Sequence, residues 1–272
     1  MTQDFIGVHG HAEPYLNLEP FFDLSGFAAI NEEICYGLPH FAVSYTGGSH
    51  KSMGIVPPSL KNDPYIDYGQ VIQKFTPEEF ERFMTLSDSD EGLDYEDRGR
   101  FTFYEEGEVS MSRRQFLYLK YRYGVYFPWK VFLELVEGNV GWEDKCTNEG
   151  NFFPEIEHAF PLTVKFIRSL PFTSIGRCNL LGIEANDHGT VHRDNYDKVD
   201  DPPLNDFITL SPAGDKNLYL WNEAKREKLI VPGRLYTFND MNFHGVEAAP
   251  YFRYSIRVDG IFTDEFRAKI SK

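Results

Sequence analysis

The central motif of the chain reads Val191-His192-Arg193-Asp194-Asn195. His192 and Asp194 are two positions apart, so in an extended segment both side chains leave the backbone on the same side. A second histidine, His244, follows far enough downstream for several short strands to bring it back to the same place. Two imidazoles and one carboxylate can occupy one triangular face of an octahedral Fe(II) ion and leave the opposite positions open. The spacing therefore predicts a metal site formed by His192, Asp194 and His244.

The segment that follows His244 is predicted to bind an anion beside the metal. It reads Phe252-Arg253-Tyr254-Ser255-Ile256-Arg257. In a strand, Arg253, Ser255 and Arg257 share one face. Two guanidinium groups on the inner face of a barrel are costly unless they bind something anionic, and a guanidinium matches a carboxylate at two points. A metal beside such an arginine suits a 2-oxo acid, with the keto acid end on the metal and the far carboxylate on the arginine.

The residues around this motif predict a β-rich C-terminal half and a helical N-terminal half. Short aromatic and β-branched segments separated by turn sequences begin at about residue 175, and many short strands at this spacing are typical of a sandwich or barrel. We predict these strands at 176–185, 206–210, 217–221, 228–231, 234–238, 245–248 and 253–261. Apolar residues at helical spacing predict helices at 25–35, from Thr76-Pro77 onward, at 112–123, at 128–137 and at 155–170, with an interruption near Pro161. The fold class is therefore mainly β with flanking helices (α+β).

Composition limits the partners of the protein. The chain has 272 residues, a net charge of −15 and 42% hydrophobic residues, which is typical of a globular protein. Such an acidic chain repels phosphate backbones and anionic lipid, so we expect no nucleic-acid partner and no membrane partner. Cys35, Cys146 and Cys178 form no CxxC motif, and the N-terminus lacks the pattern of a signal peptide, so we expect reduced thiols in the cytoplasm. The acidic stretch 88–108 reads as a solvated loop, with a mobile lid as the alternative.

The set His192-x-Asp194, His244 and Arg253-x-Ser255 resembles the Fe(II)/2-oxoglutarate-dependent oxygenases. In that superfamily an arginine nine or ten positions after the distal histidine commonly binds the 5-carboxylate of 2-oxoglutarate, and Arg253 lies nine positions after His244. The chain from about 153 to 262 is more closely similar to the aspartyl/asparaginyl β-hydroxylase branch, whereas the first 150 residues match no family. The segments that carry this likeness are Phe160-Pro161, Ser169-Leu170-Pro171-Phe172, His192-Arg193-Asp194-Asn195, Phe243-His244 and Phe252-Arg253.

The resemblance implies a fold, a set of cofactors and a reaction. It implies a double-stranded β-helix (a cupin-like jelly roll) at 151–265, packed against residues 1–150 within a single domain. Fe(II) would be held by the two histidines and Asp194, and 2-oxoglutarate by Arg253 with help from Ser255 and Arg257. Oxygen would be the co-substrate, and the reaction would hydroxylate an unactivated C–H bond and release succinate and CO2. The animal enzyme of the branch lacks the carboxylate ligand. Its presence here as Asp194 favours hydroxylation over halogenation.

Several alternatives stay open at the level of sequence. The chain is also compatible with a cupin-type metal enzyme that uses no 2-oxoglutarate, and with a non-catalytic jelly-roll binding protein. The substrate class extends over small molecules, free amino acids and peptidyl side chains, and the sequence decides neither the substrate nor the oligomeric state. Asn179, Asn205 and Thr209 are candidates for lining the pocket. Arg177 is either a substrate clamp or a strand surface residue, and His188 is predicted to be solvated in a turn.

Overall fold

The computed structural model describes residues 5–41, 44–45, 70–101, 111–123, 130–137, 150–183, 185, 188–194 and 206–271. Short 3-10 helices occur at Glu19–Phe21, Leu38–His40 and Tyr95–Arg100. The α-helices of the described residues are α1 (Phe27–Gly37), α2 (Gln70–Gln73), α3 (Pro77–Met84), α4 (Arg113–Tyr123), α5 (Pro154–Ala159), α6 (Pro161–Arg168) and α7 (Asp264–Ile270).

The strands concentrate in the C-terminal half of the chain. They are β1 (Tyr15–Asn17), β2 (Ser44–Tyr45), β3 (Lys130–Glu134), β4 (Phe172–Ile183), β5 (Gly189–His192), β6 (Asp206–Leu210), β7 (Leu218–Asn222), β8 (Glu227–Ile230), β9 (Leu235–Phe238), β10 (His244–Val246) and β11 (Arg253–Phe262).

These strands form two antiparallel sheets. The large sheet has the order β1-β9-β6-β11-β4-β3-β2, and the small sheet has the order β5-β10-β7-β8. Residues of both sheets line one cavity, so the sheets face each other across it. The predicted combination of helices with antiparallel sheet, an α+β fold, is confirmed.

Strand β11 separates the hydrophobic core from the polar interior of the sheet pair. It pairs with β4 on one side and with β6 on the other. Tyr254, Ile256 and Val258 belong to the main hydrophobic core, together with buried residues of α1, α5 and α6. Ser255 and Arg257 instead line the cavity. The predicted alternation along this strand is confirmed here, and it results from the two-residue period of an extended backbone.

Helix α3 begins with the capping box that its sequence predicts. The Glu79 backbone N–H donates to the Thr76 hydroxyl at 3.3 Å, and the Thr76 N–H donates to a Glu79 carboxylate oxygen at 2.9 Å. Phe80 and Phe83 are buried in a second, smaller hydrophobic cluster formed by residues between Ile72 and Leu119. This cluster is distinct from the main core.

One predicted helix is a strand in the structure. We predicted a helix at 128–137, but Lys130–Glu134 forms β3 and pairs with β4 from Ile183 to Asn179. A short apolar run fits either period, and the 12-residue strand β4 offers this segment a full ladder of backbone hydrogen bonds. The interruption predicted near Pro161 is confirmed, because α5 ends at Ala159 and α6 starts at Pro161.

Other expectations are met only in part. Of the acidic stretch, 95–100 forms a 3-10 helix capped by Asp94, while 102–108 lies outside the described residues. Cys35 and Cys178 are both free thiols, and Cys146 lies outside the described part. Within the described residues, no helix combines the length and apolarity that crossing a bilayer requires.

Candidate metal centre

Two neighbouring strands of the small sheet bring the two histidines together. His192 is the last residue of β5, His244 is the first of β10, and the two residues are directly paired in the antiparallel register. Their ring centroids are 4.3 Å apart. Asp194 follows β5 and is held by its backbone N–H, which donates to the Asp240 carbonyl at 3.0 Å. Hydrogen bonding between segments distant in sequence therefore sets the position of each side chain.

The three side chains offer ligand atoms that lie close enough for one ion. One ligand atom from each of His192, Asp194 and His244 lies within 4.8 Å of the others, and His192 Nε2 is 3.5 Å from Asp194 Oδ1. Adjacent ligands at roughly 2.1 Å from a metal are separated by roughly 3 Å in octahedral geometry. Two imidazoles and one carboxylate form the donor set expected for non-haem Fe(II). The residues thus fit such an ion.

His244 is held as a neutral ligand. Its side chain is buried, and Nδ1–H donates to the Asn242 carbonyl at 2.9 Å, which leaves Nε2 with its lone pair. Burial lowers the pKa of His244 below 6.5, although the nearby Asp194 carboxylate opposes this shift. A neutral imidazole with a fixed tautomer is the form that binds a metal.

Arg257 fixes the carboxylate of Asp194. Its Nη1 donates to Asp194 Oδ2 at 2.8 Å, and its Nη2 donates to Asp240 Oδ2 at 2.8 Å. Its Nε donates to Asp259 Oδ1 at 2.9 Å, and the guanidinium stacks on Phe207 at 3.8 Å from the ring centroid. Because Oδ2 of Asp194 is engaged by Arg257, Oδ1 is the oxygen that faces His192. Arg257 therefore directs Asp194 to bind a metal through one oxygen.

The ionic network around Arg257 joins two guanidinium groups to three carboxylates. Burial alone would lower the pKa of Arg257, but Asp259, Asp194 and Asp240 raise it above its ordinary value. A second arginine, Arg177, donates through Nε to Asp259 Oδ2 at 3.0 Å. These pairs hold the charged groups of a largely buried region in fixed positions beside Asp194.

The three candidate metal ligands line a cavity that a lysine also lines. The cavity has a volume of about 110 Å³ and is lined by residues that include Lys216, Ser255 and Arg257. Lys216 Nζ donates to Ser255 Oγ at 2.7 Å and to the Leu181 carbonyl at 2.9 Å. A cavity needs roughly 10–15 Å³ to admit one water, so this cavity has room for several waters or for a small organic acid.

Arg253 is placed differently from the other predicted residues. It is 1% exposed and is not among the residues that line the cavity. Its guanidinium donates to the backbone carbonyls of Glu247 and Tyr251, the latter at 3.3 Å. The structure thus brings Ser255 and Arg257 to the cavity, while Arg253 spans the turn that precedes β11. The assignment of 2-oxoglutarate to Arg253 stays a prediction, and this placement does not favour it.

Of the other residues that the sequence suggested for the pocket, some line the cavity and others do not. Arg177, Asn179 and Thr209 line the cavity, and Arg177 is a buried ion-pair partner rather than a surface residue. Asn205 lies outside the described residues, and His188 is buried instead of solvated.

Sequence reasoning missed Lys216, and one signal in the sequence points to it. Lys216 lies two and four positions before Leu218 and Leu220, both of which are buried between the sheets. Extending the two-residue period of β7 backwards by one step therefore directs this lysine inward. Asp259 was also missed, although it lies two positions after Arg257 on β11 and therefore shares its face of the strand. Asp240 was missed for a different reason, because it is distant from Arg257 in sequence and no local pattern connects the two.

Comparisons with known proteins give only distant structural likenesses. No family model matches the chain, and no curated protein matches it. An oxidoreductase of the 2OG-Fe(II) oxygenase family from Burkholderia pseudomallei is 11% identical with a TM-score of 0.31, over 48% of this chain and 67% of that chain. A prolyl-4-hydroxylase from Pseudomonas putida is 13% identical with a TM-score of 0.28, over 48% and 70%. A prolyl hydroxylase from Trichoplax adhaerens is 16% identical with a TM-score of 0.29, over 53% and 67%. At these TM-scores the functional inference rests on the geometry of the site alone.

Proposed function

We propose that this protein is an Fe(II)- and 2-oxoglutarate-dependent oxygenase built on a double-stranded β-helix core. The observation that carries the proposal is the convergence of His192, Asp194 and His244 at one end of a cavity that also holds Lys216 and Ser255. The two facing sheets suit a jelly roll with the metal between them. The likeness to the aspartyl/asparaginyl β-hydroxylase branch stays a prediction from the sequence.

Charged groups at the cavity suit each of the two cofactors. The Asp194 carboxylate lies beside the two imidazoles and suits a cation, whereas Lys216 lines the same cavity and suits an anion. Placing a charge in a poorly solvated site is least costly when an opposite charge lies beside it. The ion and the dianion therefore each have a complementary group in this cavity.

Each residue has a defined part in the proposed reaction. Bound Fe(II) and 2-oxoglutarate supply the oxidising chemistry with O2, and the protein supplies orientation and exclusion of water. His192, Asp194 and His244 would hold the ion, and the Asn242 carbonyl keeps His244 in the tautomer that can bind. Arg257 engages the second oxygen of Asp194, so that carboxylate would bind through Oδ1.

A buried hydrogen-bond acceptor in the cavity indicates which groups the substrate carries. Asn179 is 2% exposed and lines the cavity, and its Oδ1 has no hydrogen-bond partner among the described residues. An unsatisfied buried acceptor is costly, and a 2-oxo dianion has no proton to donate to it. We therefore expect a substrate that donates an N–H or O–H group, such as an amino acid or an amide side chain. Neither a nucleic acid nor a membrane is proposed as a partner.

The proposal is tested by anaerobic titration and by turnover. Fe(II) with 2-oxoglutarate should give a weak visible charge-transfer band, and admission of O2 should convert 2-oxoglutarate to succinate. His192→Ala should abolish both signals, whereas His158→Ala, a matched change on the exposed face of α5, should leave both intact. Metal binding without any response to 2-oxoglutarate would instead indicate a metal enzyme that needs no 2-oxo acid. Absence of metal binding would indicate a non-catalytic protein.

A further inference from the structure

We propose that Lys216, together with Ser255, binds the far carboxylate of the 2-oxo diacid, and that Arg253 is a positioning residue outside the binding site. The inference rests on the proposed function. It changes which cation of this chain recognises the co-substrate, and it moves that role from β11 to the segment that leads into β7.

The ammonium of Lys216 is fixed at the cavity wall. Lys216 is 8% exposed, and hydrogen bonds to Leu181 O and Ser255 Oγ hold Nζ between β4 and β11. Both of these acceptors are neutral groups that orient the ammonium. Ser255 Oγ accepts from Lys216 and keeps its own hydroxyl proton, which it can donate to a carboxylate. The pair thus offers a charged donor and a neutral donor side by side.

The inner face of β11 decides the direction in which the diacid extends. Arg257 touches the metal ligand Asp194, and the next inward residues are Ser255 on one side and Asp259 on the other. Asp259 is a buried carboxylate that accepts from both Arg177 and Arg257, so the guanidinium groups at that end are engaged in ion pairs. Ser255 lies two positions from Arg257, or roughly 7 Å along the strand. This step is of the same order as the length of an extended five-carbon diacid, so a diacid bound beside Asp194 can extend toward Ser255.

Arg253 has a structural task that explains its burial. It donates to the carbonyls of Glu247 and Tyr251, at the two ends of the turn between β10 and β11. Its positive charge also acts on Asp215, where it opposes the effect of burial, which raises the pKa of that carboxyl group. Asp215 immediately precedes Lys216 in the chain. Arg253 therefore holds the turn before β11 and lies near the loop that carries the lysine.

The test compares a 2-oxo diacid with a 2-oxo monoacid by binding rather than by turnover. Full-length wild type and Lys216→Met are loaded with Fe(II) without oxygen and titrated with 2-oxoglutarate and with 2-oxobutyrate, with the visible band as the readout. Lys216→Met should weaken the binding of 2-oxoglutarate about ten- to hundred-fold, which is the range for losing a charge-assisted hydrogen bond. Binding of 2-oxobutyrate, which lacks the far carboxylate, should change less than about threefold. Lys228→Met is the matched control, because Lys228 pairs with Glu247 away from the cavity, and it should change neither affinity.

Three further variants test whether Lys216 and Ser255, rather than Arg253, bind the far carboxylate. Lys216→Arg should recover part of the preference for the diacid, and Ser255→Ala should weaken 2-oxoglutarate several-fold. Fe(II) binding without any oxo acid should match wild type in each variant and so reports an intact fold. Equal losses for both acids in Lys216→Met would overturn the inference. The inference would also be overturned if Arg253→Met selectively lost binding of 2-oxoglutarate while Lys216→Met bound it normally. If wild type binds neither acid, the proposed function itself fails.

Discussion

Replacing Arg257 by methionine should destabilise the metal-free protein strongly. The change keeps most of the side-chain length but removes a guanidinium group that pairs with both Asp194 and Asp240. Asp240 is 5% exposed, so its charge then loses this partner in a poorly solvated place. Breaking one partner of a buried ion pair typically costs about 3–5 kcal/mol. We expect a loss of this size in the free energy of unfolding.

A double-mutant cycle with Asp240 separates this ionic cause from a loss of packing. Asp240→Asn alone should cost about 1.5–3 kcal/mol, because it weakens one hydrogen bond to a charged group. In the Arg257→Met background the same change should cost little or should stabilise, because it removes an uncompensated charge. The two changes should therefore be non-additive by about 2 kcal/mol.

The assay is urea unfolding in the presence of a chelator, followed by circular dichroism. Arg168→Met serves as the matched control, because Arg168 forms an exposed ion pair with Glu157 and its removal should cost less than about 1 kcal/mol. If the Arg257 and Asp240 costs add to within about 0.5 kcal/mol, the two side chains are not energetically coupled. The ion pair between Arg257 and Asp240 would then contribute no measurable coupling energy to the stability of the protein.

Three smaller predictions concern other parts of the chain. Gly245→Ala should weaken Fe(II) binding by displacing His244, since the new Cβ would lie 2.7 Å from a tyrosine hydroxyl oxygen, and calorimetric titration would detect the change. Thr76→Ala should lower the free energy of unfolding by about 1 kcal/mol, because it removes the cap of α3, and urea unfolding that matches wild type would contradict this. Burial lowers the pKa of His9, so stability is fully present above the ordinary value of 6.5 and falls as the pH drops below it. His9→Asn, which suits the positive φ of 48°, should flatten that fall in thermal melts between pH 7 and pH 5.

The parts of the site that follow from local periods were predictable from the sequence. The two-position spacing of His192 and Asp194, and the alternation of Ser255 and Arg257 along β11, need only an extended backbone. The strands of the C-terminal half and the capping box of α3 were predictable for the same reason. Each depends on residues only a few positions apart.

The direction of a long side chain was not predictable in this way. Arg253 shares the parity of Ser255, yet its guanidinium ends on the carbonyls of a turn that its own strand position does not reveal. Strand β3 was missed because the sequence of this apolar segment does not show that the distant strand β4 is available to pair with it. Both errors arise where tertiary hydrogen bonds decide between locally equivalent choices.

The three candidate ligand residues differ in exposure, and this difference would set the order in which they meet an ion. His192 and Asp194 have side chains that are 30% and 20% exposed, whereas His244 is 5% exposed. His192 also ends β5, one of the two edge strands of the small sheet among the described strands. An ion arriving from solvent would therefore meet the motif first and the deep imidazole last. Capture and release would both proceed through the His192 side, which makes the rate of metal exchange most sensitive to changes at that edge.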